Sequence, residues 1–247
     1  MKPLLTLGYD GTAYAGWQRQ KNALAIQQVV EEALCKLLKT DAAVIGGGRT
    51  DAGVHALGQR ALIIKPARIF IPTERLPAAL NTLLPADIKV LSAEQVADDF
   101  HPLRHKSRKT YEYSVYNAPV MPPIHRLYAA LWRGALDVGA MREAGAHFVG
   151  VHDFAGFCGT NGTAATTIRE IFDLDITQNG PLIRISVCGN GFLYNMVRII
   201  AGTLMMVGQS RITPSEIPGI IRSRDRTMAG DTMPPCGLML KEIKYVT

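Results

Sequence analysis

The chain is poor in the residues on which metal, disulfide and nucleotide-cofactor chemistry depend. Its four cysteines, Cys35, Cys158, Cys188 and Cys236, lie far apart without a CxxC pair. That spacing excludes a zinc knuckle, suggests no disulfide framework and fits a reducing cytoplasm. The six histidines show no HExxH or paired spacing, and His55, four residues after Asp51, makes no metal site without further ligands, so no metal is expected. Gly46-Gly47-Gly48 has neither the GxxxxGK[ST] spacing of a phosphate loop nor the GxGxxG of a dinucleotide fold, so no nucleotide cofactor is expected. Long apolar runs are missing too. The longest, Phe192 to Val207, is broken by Arg198, and the run before Asp10 is too short for a signal peptide. Acidic residues are in deficit, 21 against 27 Lys and Arg for a net charge of +6, a moderate bias toward a polyanionic partner.

What is present is a mixed pattern without repeats, in 247 residues, enough for one large or two modest domains. Leu5, Leu7 and Tyr9 alternate as a strand, and Ile26, Val29, Val30, Ala33, Leu34, Leu37 and Leu38 follow helical spacing. A strand over 59–65, a helix over 73–84 stopped by Pro85 and a strand over 88–96 complete a βαβαβ unit. Residues 110–116 then alternate as a strand, 138–149 are helical, and 168–176 pairs with 182–188 as a hairpin through Asn179-Gly180. A long helix covers 192–207. Thr213, Pro214 and Glu216 form a capping box opening a short helix toward Ser223, and 238–245 closes the chain as a strand. The class is therefore α+β, in two similar halves with a cleft expected between them. Residues 1–100 carry the Asp51 loop and 101–247 carry the tyrosine strand and the Arg198 helix, the pattern breaking near Phe100-His101-Pro102.

Five features point to chemistry on a polyanion. In GGRTDAGVHALGQ, residues 47–59, Asp51 stands between Arg49 and Gly53 on a tight turn where a nucleotide can approach its oxygens; an aspartate in such a turn also commonly caps its own backbone. Arg49 suits a phosphate or a displaced base, although a lone loop arginine is often only solvated. Tyr111 and Tyr113 share one strand face, where a ring can stack on a base, and core aromatics show the same spacing. The basic run Arg104, His105, Lys106, Arg108 and Lys109 just before them favours a nucleic-acid surface. Arg198 interrupts a helix that is apolar nearly all round, so its guanidinium needs a partner. Asp51 is the preferred carboxylate, with Asp153, Glu170 and Asp173 as structural alternatives; facing Arg198, Asp51 stays ionised, as a nucleophile or general base requires.

These residues fall within a longer pattern that resembles the tRNA pseudouridine synthase A family. The matches are Tyr9-Asp10-Gly11-Thr12 through Gly16-Trp17-Gln18, the block from Gly48 to Ala56 with Gly58-Gln59, and Tyr111-Glu112-Tyr113 with Tyr116-Asn117. Asp153-Phe154 with Phe157, the run Phe192 to Arg198 with Gly202-Thr203-Leu204, and Pro234-Pro235 with Gly237-Leu238 follow in order. The resemblance implies the pseudouridine synthase fold, with a mixed, mainly antiparallel sheet, and isomerisation of uridine in the anticodon stem-loop of tRNAs at positions 38 to 40. It implies a cytoplasmic homodimer with tRNA as partner, and neither cofactor nor metal. Asp51 matches the catalytic aspartate, Arg49 the arginine that holds the flipped nucleotide, Tyr111 the tyrosine packed on the base and Arg198 the arginine paired with the aspartate. Arg104, Lys106, Arg108, Phe192 and Leu193 are the further substrate-binding candidates. A non-catalytic RNA-binding module is the alternative from another class, and the intact Asp51, Tyr111 and Arg198 set argues against it.

Overall fold

A computed structural model describes residues 1–66, 69–160 and 162–246. The chain forms two compact units, one of Met1–Ser107 with Leu240–Thr247 and one of Arg108–Met239. In the first, strand β1 (Lys2–Tyr9) is followed by helix α1 (Ile26–Leu38), β2 (Ala43–Gly46), β3 (His55–Lys65), α2 (Leu76–Asn81) and β4 (Ile88–Val96). β1 lies between β3 and β4, antiparallel to both, with Leu5 opposite Ala61 on one side and Ala93 on the other. β2 pairs antiparallel with β3. Leu4, Leu5, Leu7, Ala61, Leu62 and Ile63 are almost wholly buried there, as strands covered on both faces require.

Helix α1 forms over the predicted residues. It stops at Lys39, whose φ of 51° is left-handed, a conformation that ends a helix. Its buried Glu31 accepts from three partners, Arg19 Nη1 at 2.9 Å, Gln27 Nε2 at 3.1 Å and the Val44 amide at 3.2 Å, and Gln27 Nε2 also donates to the Val44 carbonyl at 3.1 Å. These bonds tie α1 to β2. The helix expected over 73–84 is divided: Thr73–Arg75 makes a 3-10 turn and α2 starts at Leu76. Pro77 explains this, because a residue without an amide N–H is tolerated only in the first turn of an α-helix. β2 went unpredicted; its four residues run straight into the glycine triplet and carry too little pattern to be seen.

The second unit contains most of β5 (Ser107–Asn117), then β6 (Ala130–Trp132), helix α3 (Val138–Ala146), β7 (Gly150–Asp153), β8 (Ile168–Asn179), β9 (Leu182–Gly189), α4 (Met196–Gly208) and α5 (Ile217–Ser223). Its sheet runs β5-β9-β8-β7 in antiparallel pairs, with β6 added parallel to β5. The last strand, β10 (Leu238–Tyr245), begins in this unit and ends in the first, beside β3. The β8–β9 hairpin differs from expectation by one residue: Asn179 pairs with Leu182, so the two loop residues are Gly180 and Pro181. Proline donates no ladder hydrogen bond and falls in the turn. Helix α4 starts at Met196 and not at Phe192, because Asn195 has a φ of 61° and no α-helix passes through that conformation. All but two of its thirteen residues are buried.

The predicted capping box is present. The Thr213 amide donates to Glu216 Oε2 at 2.7 Å, and the Thr213 hydroxyl reaches the same oxygen at 2.8 Å, opening the 3-10 turn that leads into α5. Thr213→Ala removes the hydroxyl from this cap and should lower stability by about 1 kcal/mol in urea unfolding, while Thr213→Ser stays within a few tenths of wild type.

Candidate active site

The Asp51 loop, between β2 and β3, is held by the loop that follows β1. The Trp17 amide donates to the Thr50 carbonyl at 3.0 Å, the Gly53 amide to the Tyr14 carbonyl at 3.2 Å, and the Gly11 amide to His55 Nδ1 at 3.1 Å. Within the Asp51 loop the Val54 amide closes a turn on the Asp51 carbonyl at 3.1 Å. The two backbones are in such close contact that side chains are excluded. A Cβ on Gly11 would overlap the Val54 carbonyl, and one on Gly16, whose φ is +86°, would overlap the Thr50 carbonyl.

A buried polar row lies under this loop. The Tyr9 hydroxyl is 2.8 Å from Thr50 Oγ1, Gln59 Nε2 donates to the Gly48 carbonyl at 2.7 Å, and the same nitrogen is 3.5 Å from Tyr9 Oη. Burial raises the Tyr9 phenol above its ordinary range, against the opposing effect of those two hydrogen bonds, so it stays a neutral hydroxyl through the physiological range. Trp17, 2 % exposed, stacks near Tyr9 with ring centres 6.2 Å apart and fills the space over Gly46. Asp51 itself is half-buried and Arg49 is exposed. Tyr9, Trp17, Thr50, His55 and Gln59 were not anticipated as supports. The available signal was the place of Thr50 and His55 on either side of Asp51 within the block from Gly48 to Ala56.

In the second unit Tyr111 is buried on β5 and meets Phe192 edge-on, ring centres 5.3 Å apart. Tyr113, considered with it as a stacking residue, is fully buried and donates to the Pro234 carbonyl at 2.8 Å; it belongs to the core. Leu193 is also buried. Half-buried Arg198 donates from Nε to the Met233 carbonyl at 2.6 Å and from Nη1 to Asn195 Oδ1 at 2.8 Å, and its own carbonyl accepts the Met233 amide at 3.3 Å. The segment carrying Met233 runs against α4 where Gly202 has no side chain to obstruct the Asp231 carbonyl. Asp153 is engaged by Thr167 Oγ1 at 2.5 Å and by Arg224 at 3.0 Å.

The expected basic run divides between the units. Arg104 and Lys106 line an open groove of about 760 Å³ in the first, with Lys2, His101, His105, Asp98 and Asp99. Arg108, in the second, lies over the Phe172 ring at 4.5 Å. Among the described residues no group of three or more His, Cys, Asp or Glu side chains is arranged to hold a metal ion, and no helix is long and apolar enough to cross a membrane.

A family model described as tRNA pseudouridine synthase matches residues 7–103 and 144–246. The chain belongs to the tRNA pseudouridine synthase family. Three proteins, each named tRNA pseudouridine synthase A, from Caldicellulosiruptor bescii, Ruminiclostridium cellulolyticum and Pelobacter propionicus, are 46% identical to it over 98% of this chain and 98% of their own. A chain of the "Crystal Structure of a Cbf5-Nop10-Gar1 Complex" aligns with 82% of this chain and 45% of its own at 14% identity and a TM-score of 0.35. For this synthase family member, Asp51 and Arg198 fall inside the two matched segments and Tyr111 between them.

The Tyr9–Thr50 bond yields a test of loop positioning. Thr50→Val keeps the shape but removes the hydroxyl, and should cost about 1–3 kcal/mol in urea unfolding. The turnover of uridine in tRNA should fall more than tRNA affinity; an unchanged turnover would mean that this bond does not fix Asp51.

Proposed function

We propose that this chain isomerises uridine to pseudouridine in the anticodon stem-loop of tRNAs, at positions 38 to 40, acting as a cytoplasmic homodimer with Asp51 as the catalytic carboxylate. The observation that carries this reading is the anchoring of the Asp51 loop to the β1 exit in a chain that matches tRNA pseudouridine synthase A proteins along nearly its whole length. The reaction breaks the bond from uracil N1 to ribose C1′ and forms one from C5 to C1′, with a proton leaving C5 and one gained at N1. Substrate and product are isomers, so the balance needs no oxidant, reductant or co-substrate. Whether the carboxylate attacks the sugar, attacks the base or takes a ribose proton, it must be ionised and held still, and Arg198 is the cation assigned to keep it so.

The uridine must leave its stack for a side chain to reach C1′, at a cost of a few kcal/mol. Exposed Arg49 is assigned to hold the displaced nucleotide, Tyr111 with Phe192 to receive the base, and Arg104, Lys106 and Arg108 to contact phosphates. RNA of this size is read mainly by shape and backbone, so several loosely spaced cations suffice.

Asp51→Asn should abolish pseudouridine formation and leave tRNA affinity within a few-fold, because it removes the ionised oxygen but little volume. Sequencing tRNA from cells with and without the protein locates the modified sites, and substantial isomerisation by the purified variant would overturn the role of Asp51. Arg198→Met removes the counter-charge, which should raise the Asp51 pKa. The acidic limb of the pH–rate profile should then move to higher pH, with activity lost near neutrality; an unmoved limb with wild-type activity would exclude the pairing.

A further inference from the structure

Lys109 lies two residues before Tyr111 on β5, so both side chains leave the same face of the sheet. The face continues through Tyr113 and Val115 into apolar core. Lys109 is opposite Gly189 on β9, and Gly189 is opposite Ile171 on β8. Arg169, two residues before Ile171, therefore issues from that face as well. A Cβ on Gly191 would lie 3.8 Å from Arg169 Nε, and one on Gly189 would press on the Glu170 carbonyl at 2.8 Å and on the ring of Phe192 at 3.2 Å, the ring that meets Tyr111.

Among the described residues neither cation is paired with a carboxylate. Arg169 Nη1 donates to the carbonyls of Thr166 and Ile168 at 2.9 and 2.6 Å, and among the described residues no acidic side chain pairs with it or with Lys109. Burial and the adjacent Arg169 guanidinium both hold the Lys109 ammonium below its ordinary range. Two partly desolvated like charges repel each other and lose hydration, which favours their replacement unless a counter-charge arrives from outside. An arginine fork beside a lysine point charge suits a phosphate, which accepts from both.

We propose that Lys109 and Arg169 together bind a backbone phosphate of the substrate RNA beside the nucleotide that Tyr111 contacts, an inference that rests on the uridine-isomerase reading above. The pair positions the strand, and neither residue takes part in the bond changes.

The test uses the whole protein and an unmodified tRNA transcript, comparing wild type with Lys109→Met, Arg169→Gln and Lys109→Arg. Each neutral variant should weaken tRNA binding by about tenfold. Each should also reduce the slope of log affinity against log salt by about 0.7 to 0.9, the contribution of one phosphate contact. KM should rise more than kcat falls, and Lys109→Arg should recover most of the loss. Lys109→Met should melt at or above the wild-type temperature, because a repelled, half-buried charge has been removed. Unchanged affinity and slope in both neutral variants, or a loss confined to melting temperature, would overturn the proposal. A wild-type enzyme that forms no pseudouridine in the transcript would instead sink the isomerase reading, so the two failures are separable.

Discussion

The geometry of the first unit depends on the contact between two loops at the ends of β1 and β2, where backbone meets backbone without intervening side chains. Gly11 against Val54 and Gly16 against Thr50 allow no Cβ, so the path of residues 50–54 is determined by the path of residues 10–17 and vice versa. Hydrogen bonds from Trp17, Gly53 and Gly11 fix the remaining freedom. Such a joint is stiff in a way a solvent-exposed loop is not, since every atom that would allow it to slide is already in contact. Half-buried Asp51 lies within this joint, its carbonyl accepting the Val54 amide. A side chain carried on a backbone with a single path is held to a narrow range of positions.

Below the joint the support is polar, and the reason is the loop itself. Amides and carbonyls of a loop brought against a core lack ladder partners and must be satisfied by side chains. Gln59 does so for the Gly48 carbonyl, His55 for the Gly11 amide, and Tyr9 holds Thr50. These buried polar groups occupy positions in β1 and β3 that the strand pattern alone would assign to apolar residues. Glu31 does the equivalent work for α1 and the Val44 amide. The buried polar residues of this unit therefore follow the irregular backbone they serve.

Much of this was legible in the residues. Helix α1, strands β4 and β10 and the Thr213 cap had strong local patterns and formed where expected. The division of 73–84, the start of α4 and the hairpin turn differed because single residues outweighed periodicity: Pro77 by its missing amide, Asn195 by its left-handed φ and Pro181 by its inability to join a ladder. Tyr111 and Tyr113 are both buried and differ in their neighbours, since only tertiary packing brings the Pro234 carbonyl to one and Phe192 to the other. The supports of the Asp51 loop were hidden for a related reason. Their partners lie up to fifty residues away, and no local pattern encodes a contact of that range.

Charges that break an apolar pattern are the ones whose roles we propose with the strongest physical reason, and that reason is desolvation. On a surface strand a lysine costs nothing and tells little; Arg104 and Lys106 line an open groove with two aspartates and read equally well as solvated. Arg198 on a buried helix and Lys109 on a buried strand face each lose hydration on folding. The Met233 carbonyl and the Asn195 side-chain oxygen that accept from Arg198 repay part of that loss, whereas Lys109 has another cation beside it. Placing a charge in such surroundings lowers the stability of the free protein. The same surroundings strengthen its attraction to an incoming anion, because less solvent screens the pair. A site that binds a polyanion in a short stretch of chain thus draws its selectivity from the few cations that are poorly solvated, and the many exposed ones contribute mainly to the rate of encounter.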